Sequence, residues 1–493
     1  MVGNGLEKNE VIDAELIEKN QRLSHSILWR LHSAFYQQSG VTAWNRGHVP
    51  HYITNNPTIA AAYAHLVLDY LQNLTIHSPQ QPVFILELGG GSGRFAFYFL
   101  NYFLPETRHL FPQGTRFVYL LTDLAESNLN FWKTHPALQP FLRSGELELA
   151  CFNPLTDHQI SLTSSGTTLT RQDIANPLIV LGNYFFDSLP NDVFSIHGGI
   201  LCEELVSLKT RKPLLDPVGP SILPSLEISF RPRFISAPYY HNQKYNRLLR
   251  QYLAAFSDSY VLMPIGALEC LRNLLWLSRG KMYFLSADKG DFQLNALQGL
   301  NQPEISLHGS AISMKVNYHA LAAFTRQSGG QAFQSKHRDE GLVFSTFLFG
   351  ASANLLQSAR RAFNMTFETA SPDDFFVWKK ALQPYYSQLP LEQLLAILRL
   401  SGYDPQIFGE TFHLLLEYAQ TADPRQKDWI AEAARRVFLL YYPIGEALNL
   451  YLPLARLFLS LSRQPEAQAC QRASREFFGP STEMDTLLAQ TTA

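Results

Sequence analysis

The spacing of apolar and polar positions changes four times along the chain. Up to residue 81 it is helical. "SHSILWRLHSAFYQQSG" and "NPTIAAAYAHLVLDYLQNL" each place large apolar residues three and four apart. Asn56-Pro57 supplies a cap and then a proline at the start of the second segment. Residues 1–20 are polar and predict a frayed or loosely helical start. From Pro82 to about Ser195 short apolar runs alternate with helical stretches. "PVFILEL", "RFVYLLTD", "GELELACFN" and the first part of "PLIVLGNYFFDSLP" predict four strands. Strands alternating with helices imply a parallel sheet covered on both faces. Such a sheet takes ligands at the carboxyl ends of its strands. Those ends carry Glu87, Asp123, Asn153 and Asn183.

Residues 196–245 follow a different rule. "GILCEELVSLKT" and "SLEISFRPRFIS" alternate as half-exposed strands do, around a proline-rich loop. This predicts a β-rich insertion. The α/β pattern then resumes with helices in "RLLRQYLAAF" and "ALECLRNLLWLSRG", a strand in "KMYFLSADKG", a helix in "ALAAFTRQSGG" and a closing strand in "LVFSTFLFG". From about Ser371 the pattern is helical to the end. Its last segment breaks into two helices at Gln464-Pro465, with small Ala455, Ala467 and Ala473 among large residues, as in one degenerate tetratricopeptide unit. The expected organisation is an N-terminal helical segment (1–81) packing on a catalytic domain (82–350) that carries an insertion at about 196–245. An all-α C-terminal domain (371–493) follows, separable near Ala370.

Composition narrows the class. Apolar residues make up 46 % of the 493 and aromatics 13 %, enough for large cores. Forty Lys and Arg against 42 Asp and Glu leave a net charge of -2, which argues against a broad nucleic-acid surface or a polybasic anchor. Four scattered cysteines form neither a CxxC motif nor a disulfide framework, and a reducing compartment is the simpler expectation. With no leader-like start and no long apolar run, the chain is expected to be cytoplasmic, without a membrane span. His48 and His51 are spaced like a ligand pair but lack a visible partner cluster.

The candidate chemistry lies in "FILELGGGSGRFAFYFL", residues 84–100. Two registers fit. "GSGRFA" (Gly91, Gly93, Ala96) has the spacing of a dinucleotide fingerprint. "ELGGGSG" has the acid-x-Gly-x-Gly-x-Gly spacing of class I S-adenosylmethionine-dependent methyltransferases, and it alone uses Glu87. Glycines at 89, 91 and 93 let the backbone turn and meet a ligand closely. The helix that follows offers free N–H groups to a carboxylate. Glu87 is placed to accept from the cofactor's ammonium and Asp123 from ribose hydroxyls; Phe152 and Asn153 lie where the adenine edge falls. An acid on the second strand serves either cofactor, so Glu87 discriminates between them.

Six blocks, in order over roughly residues 25–350, resemble the MidA-like methyltransferase family, which includes the mitochondrial complex I assembly methyltransferase. They are "GHVPHYITNNPTIAAAYAHLVLDYL", "LELGGGSG", "LTDLAESNLNFW", "LGNYFFDSLPNDVF", "MPIGALECLRNLLWLSRGKMYFLSADKG" and "ISMKVNYHALAAFTRQSG". The resemblance implies a class I methyltransferase sheet with an inserted β region, S-adenosyl-L-methionine as cofactor and a protein arginine as acceptor. A guanidinium needs acceptors to orient it and take its proton, and Asn183 and Asp187 are the expected pair. The chain departs from the family at Gly90 (proline there), Tyr184 (acid), Lys289 (tyrosine), Lys315 (histidine) and Asn317 (aspartate). The reading is therefore a methyltransferase acting on a protein side chain, with C-terminal helices for a partner. A small-molecule N- or O-methyltransferase and a catalytically silent assembly protein are the alternatives.

Overall fold

The computed structural model describes residues 14–489 apart from 46, 48, 50–51, 75, 77, 79, 112–113, 213–217, 237, 304, 337–341, 370 and 447. His48 and His51 lie outside the described residues. Two compact units divide the chain. One comprises the residues up to Gln38 with 186–269 and 291–324; the other comprises 39–185, 270–290 and 325–493.

The second unit holds the expected α/β sheet. Its strands are β1 (Val83–Glu87), β2 (Phe117–Asp123), β3 (Leu147–Cys151), β4 (Leu178–Asn183), β5 (Met282–Asp291), β6 (Gln331–Gln334) and β7 (Leu342–Phe349). Their order is β6-β7-β5-β4-β1-β2-β3. β3, β2, β1, β4 and β5 pair in parallel, and β7 is antiparallel to both of its neighbours. The first four strands are the four read from the apolar runs. They are buried on both faces, which is why they are continuously apolar instead of alternating. The order reverses between β1 and β4, so the carboxyl ends of β1, β2 and β4 meet at a topological switch point.

Two helices flank that point. α1 (Pro57–Gln72) is capped as expected: the Asn56 side chain accepts from Ile59 N at 3.1 Å. α2 (Arg94–Leu110) starts directly from the glycine loop. Phe95, Ala96, Phe97, Tyr98, Phe99 and Leu100 are all buried, which is more than one helical stripe. A helix apolar all round must be covered all round. The sheet and α1 supply one cover. The other is the end of helix α3 (Pro424–Leu440) with the segment after it, where Leu440, Tyr442 and Ile444 are buried in the same core as the sheet.

The remaining C-terminal helices share a second core within this unit, built on Leu394, Phe408, Ile430, Leu454 and Phe458. The hairpin read at Gln464-Pro465 is present as Tyr451–Ser460 and Gln464–Phe478, with Ala455 and Ala467 fully buried.

The first unit is built on an antiparallel sheet in the order Glu15–Arg22, Ile200–Thr210, Asp192–His197, Ser259–Met263, with Leu226–Phe234 also pairing with Ile200–Thr210. The β-rich insertion is thus present. The N-terminal stretch corrects one expectation: residues 15–22 are a strand, not a helix. "ELIEKNQR" lies against Ile200–Thr210 with none of its side chains fully buried, so no apolar period announces it.

Candidate active site

Glu87 ends β1 and is buried. Its Oε2 accepts from the Tyr119 hydroxyl of β2 at 2.7 Å. Burial outweighs that bond, and nearby Asp123 adds repulsion, so the carboxyl is pushed up to about 8 and holds its proton at neutral pH. Asp123 ends β2. Its Oδ1 accepts from Ala125 N at 2.9 Å; its Oδ2 accepts from Gly91 N and from Asn128 Nδ2, each at 3.0 Å. Burial raises its pKa against these donors. The acid on the second strand therefore holds the glycine loop to the switch point.

Gly89, Gly91 and Gly93 have φ of 61°, 55° and 75°, in the left-handed region where side chains are strained. Each also faces a ring. A Cβ on Gly89 would lie 3.1 Å from Phe185, one on Gly91 3.0 Å from Trp44, and one on Gly93 2.9 Å from Trp132. Gly90 bears on one departure from the family pattern: its N–H donates to Thr122 O at 2.9 Å, a bond proline lacks, and a Cβ there would press on the Leu121 methyl. Trp132 Nε1 also donates to Gly91 O at 3.1 Å.

Phe152 and Asn153 follow β3. Phe152 is buried, and Asn153 organises a turn in which its Oδ1 accepts from Leu155 N and its own N–H donates to Asp157. Asn183 ends β4, and its Oδ1 accepts from Tyr63 of α1 at 2.7 Å. That bond fixes the orientation of the amide, whose oxygen keeps a second lone pair. Next, Tyr184 adopts φ 46°, uncommon for a non-glycine residue. Phe185 N donates to Asp288 of β5 at 3.2 Å. Asp187 belongs to the other unit, in a 3-10 turn (Phe186–Ser188), where its carboxylate accepts from Ser188. Asn183 and Asp187 are thus a strand end and a turn, not successive turns of one helix. The second unit brings together Glu87, Gly89, Gly91, Gly93, Asp123, Phe152, Asn153 and Asn183.

The sequence did not point to the clamp on this loop. Tyr442 Oη donates to Ser92 O at 3.0 Å. Arg94 donates to Tyr442 O through Nε and Nη2, and pairs with Glu446. His135 stacks on the Tyr442 ring at 3.8 Å and bonds to Pro443 O at 2.8 Å through Nε2. The carbonyl can only accept, so Nε2 carries the proton. Burial holds this imidazole down at about 4, neutral. Asn45 Nδ2 donates to Ile444 O at 2.9 Å. Tyr119, Asn128 and Trp132 were also missed, although the last two sit in the "LTDLAESNLNFW" block.

The strand order, the glycine loop and acids on two adjacent strands define the class I methyltransferase fold. Residues 62–274 match the family model described as "Putative S-adenosyl-L-methionine-dependent methyltransferase". No curated protein matches the chain. Two crystal structures of COG1565 superfamily proteins from Burkholderia thailandensis are similar. One is bound to S-adenosyl-homocysteine, with 13 % identity, 62 % of this chain and 80 % of that chain covered, and a TM-score of 0.39. The other has 12 % identity, coverage of 65 % and 88 %, and a TM-score of 0.40. An O-methyltransferase family protein from the same organism has 8 % identity, coverage of 65 % and 71 %, and a TM-score of 0.26.

The family's cofactor is S-adenosyl-L-methionine, and the donor set fits it. The N–H groups of Gly90, Gly91 and Gly93 are spent on Thr122 O, Asp123 and Gly90 O, so a carboxylate is left to the first turn of α2. Asn128 Oδ1 beside Asp123 is buried and has no hydrogen-bond partner among the described residues, leaving an acceptor for a hydroxyl or amino group. Among the described residues no His/Cys/Asp/Glu group is arranged for a metal, and no helix is long and apolar enough to cross a membrane.

Proposed function

We propose that the chain transfers a methyl group from S-adenosyl-L-methionine to a protein side chain, arginine by family resemblance, and that its C-terminal helices engage a protein partner. The observation that carries the cofactor half is the glycine loop tied by its own N–H to Asp123 at the switch point, with Glu87 one strand away. When bound, the cofactor supplies an electrophilic methyl on a sulfonium. The chain's part is to hold and orient. Glu87, Asp123 and the first turn of α2 hold the ligand, Phe152 and Asn153 border the base, and Asn183 and Asp187 serve the acceptor. Transfer of this kind depends on alignment and exclusion of water. A cytoplasmic setting and a role in complex assembly accompany this reading.

One observation favours the silent reading: the rings of Phe185 and Trp44 lie against Gly89 and Gly91, where a ligand would approach. Calorimetry with S-adenosyl-homocysteine separates the two. The enzyme reading expects binding, no NAD binding, and proton release at pH 7, because an ammonium beside Glu87 displaces the proton that burial keeps there. Repeating the titration in buffers of different ionisation enthalpy measures that proton. Tight NAD binding, or no binding of either, would overturn it.

A further inference from the structure

Beside the glycine loop, within the same unit, is a cavity of about 300 Å³ bounded by the first turn of α2, the residues before α1 and the C-terminal segment around 404–406 and 441–450. Its walls are aromatic. Trp44, Tyr52, Tyr98, Tyr441 and Tyr442 all line it, and ring faces attract cations.

Its polar atoms are unbalanced toward acceptors. Asn45 uses its amide N–H on Ile444 O, and Asn55 uses its own on Ser92 Oγ at 3.3 Å. The Oδ1 atoms of both are buried and have no hydrogen-bond partner among the described residues. Asp404 is 3 % exposed; its carboxylate takes the Tyr52 hydroxyl at 2.7 Å and Gln406 N at 2.8 Å. Two cations stand nearby. Arg94 is committed to Tyr442 O and Glu446, and Lys379 is paired with Glu410 at 2.9 Å behind the Tyr52 ring. Among the lining side chains two carboxylates, Asp404 and Glu446, thus face one cation, Arg94, and the unmet atoms are acceptors.

We propose that this cavity binds the guanidinium or ammonium end of an organic cation, the guanidinium fitting better because its flat, many-donor head both stacks on rings and reaches several acceptors. The source is an arginine side chain of a polypeptide or a free alkylguanidine; the chemistry is the same. The site goes beyond the methyl-transfer reading, since it needs neither cofactor nor chemistry to fill.

The full chain, without cofactor, is titrated by calorimetry with agmatine, with Nα-acetyl-arginine amide, with its neutral citrulline counterpart and with a short arginine-containing peptide. Both cationic small probes are expected to bind at least about tenfold tighter than the citrulline compound. The peptide outdoing agmatine identifies a polypeptide source, and the reverse identifies a free guanidine. Asp404→Asn keeps a helix cap at that position and is expected to weaken the cations about tenfold while leaving the citrulline compound unchanged. Should that variant fail to fold, Asn55→Asp, which adds a carboxylate at an unmet acceptor, is expected to tighten the cations severalfold. Equal binding of citrulline and arginine compounds, or no binding up to about 20 mM, overturns the proposal, whatever S-adenosyl-homocysteine does.

Discussion

Glu87 carries its proton near neutrality because burial outweighs the Tyr119 bond, and this has a sign. Unfolded, the carboxyl titrates at its ordinary value of 4.5; folded, at about 8. Between those values the folded chain holds a proton that the unfolded chain has released. This group's contribution therefore falls as pH rises from about 4.5 to about 8, then levels off. Glu87→Gln keeps an acceptor for Tyr119 and cannot ionise. Urea midpoints at pH 5 and pH 9 should show the variant gaining roughly 2–4 kcal/mol on the wild type between the two; parallel profiles would refute the shift. Asp187 tests the other side of the proposed chemistry. Asp187→Asn keeps the shape and removes the charge, so methyl transfer to a cationic acceptor should drop about a hundredfold or more with affinity for S-adenosyl-homocysteine unchanged. Full activity in that variant would remove Asp187 from the site.

At the scale of elements, α2 is the piece on which the site turns. Its loop end is pinned by Asp123 from the sheet side and by Tyr442 from the C-terminal side. Tyr442→Phe keeps the ring on His135 and removes one hydroxyl donor. The expected cost is about 1 kcal/mol in stability, with a severalfold loss of affinity for S-adenosyl-homocysteine measured by calorimetry. Unchanged affinity at the lower stability would make the hydroxyl merely structural. The parallel strands, the α1 cap and the glycine loop were legible because each follows a local rule: buried strands are continuously apolar, Asn-Pro starts helices, and glycine takes positive φ. The clamp was not legible, because Tyr442 and Ser92 are 350 residues apart and only the all-round apolarity of α2 hints at a cover. Nor was the Tyr63–Asn183 bond, which orients that amide from 120 residues away. The edge strand at Glu15–Arg22 escaped because none of its side chains is fully buried, so no apolar pattern is required.

For the whole molecule, the sequence suggested C-terminal helices that come away cleanly near residue 370. The structure gives a different expectation. A chain ending there lacks Leu440, Tyr442 and Ile444 and uncovers Phe97, Tyr98 and Trp132, each large side chain worth about 1.5–3 kcal/mol when buried. Expressed without residues 371–493, the protein should be aggregation-prone and should fail to bind S-adenosyl-homocysteine; a soluble, binding-competent product would show the helices to be a true module. The clamp also bears on how the protein is made. Its donor is synthesised 350 residues after the carbonyl it grips. At cellular elongation rates of about 5–20 residues per second, that leaves roughly 20–70 s in which the nascent chain presents an uncovered aromatic helix. Ribosome-bound intermediates of this chain are accordingly the form that holding chaperones should engage, and a stop codon anywhere before Tyr442 should yield a product cleared by proteolysis.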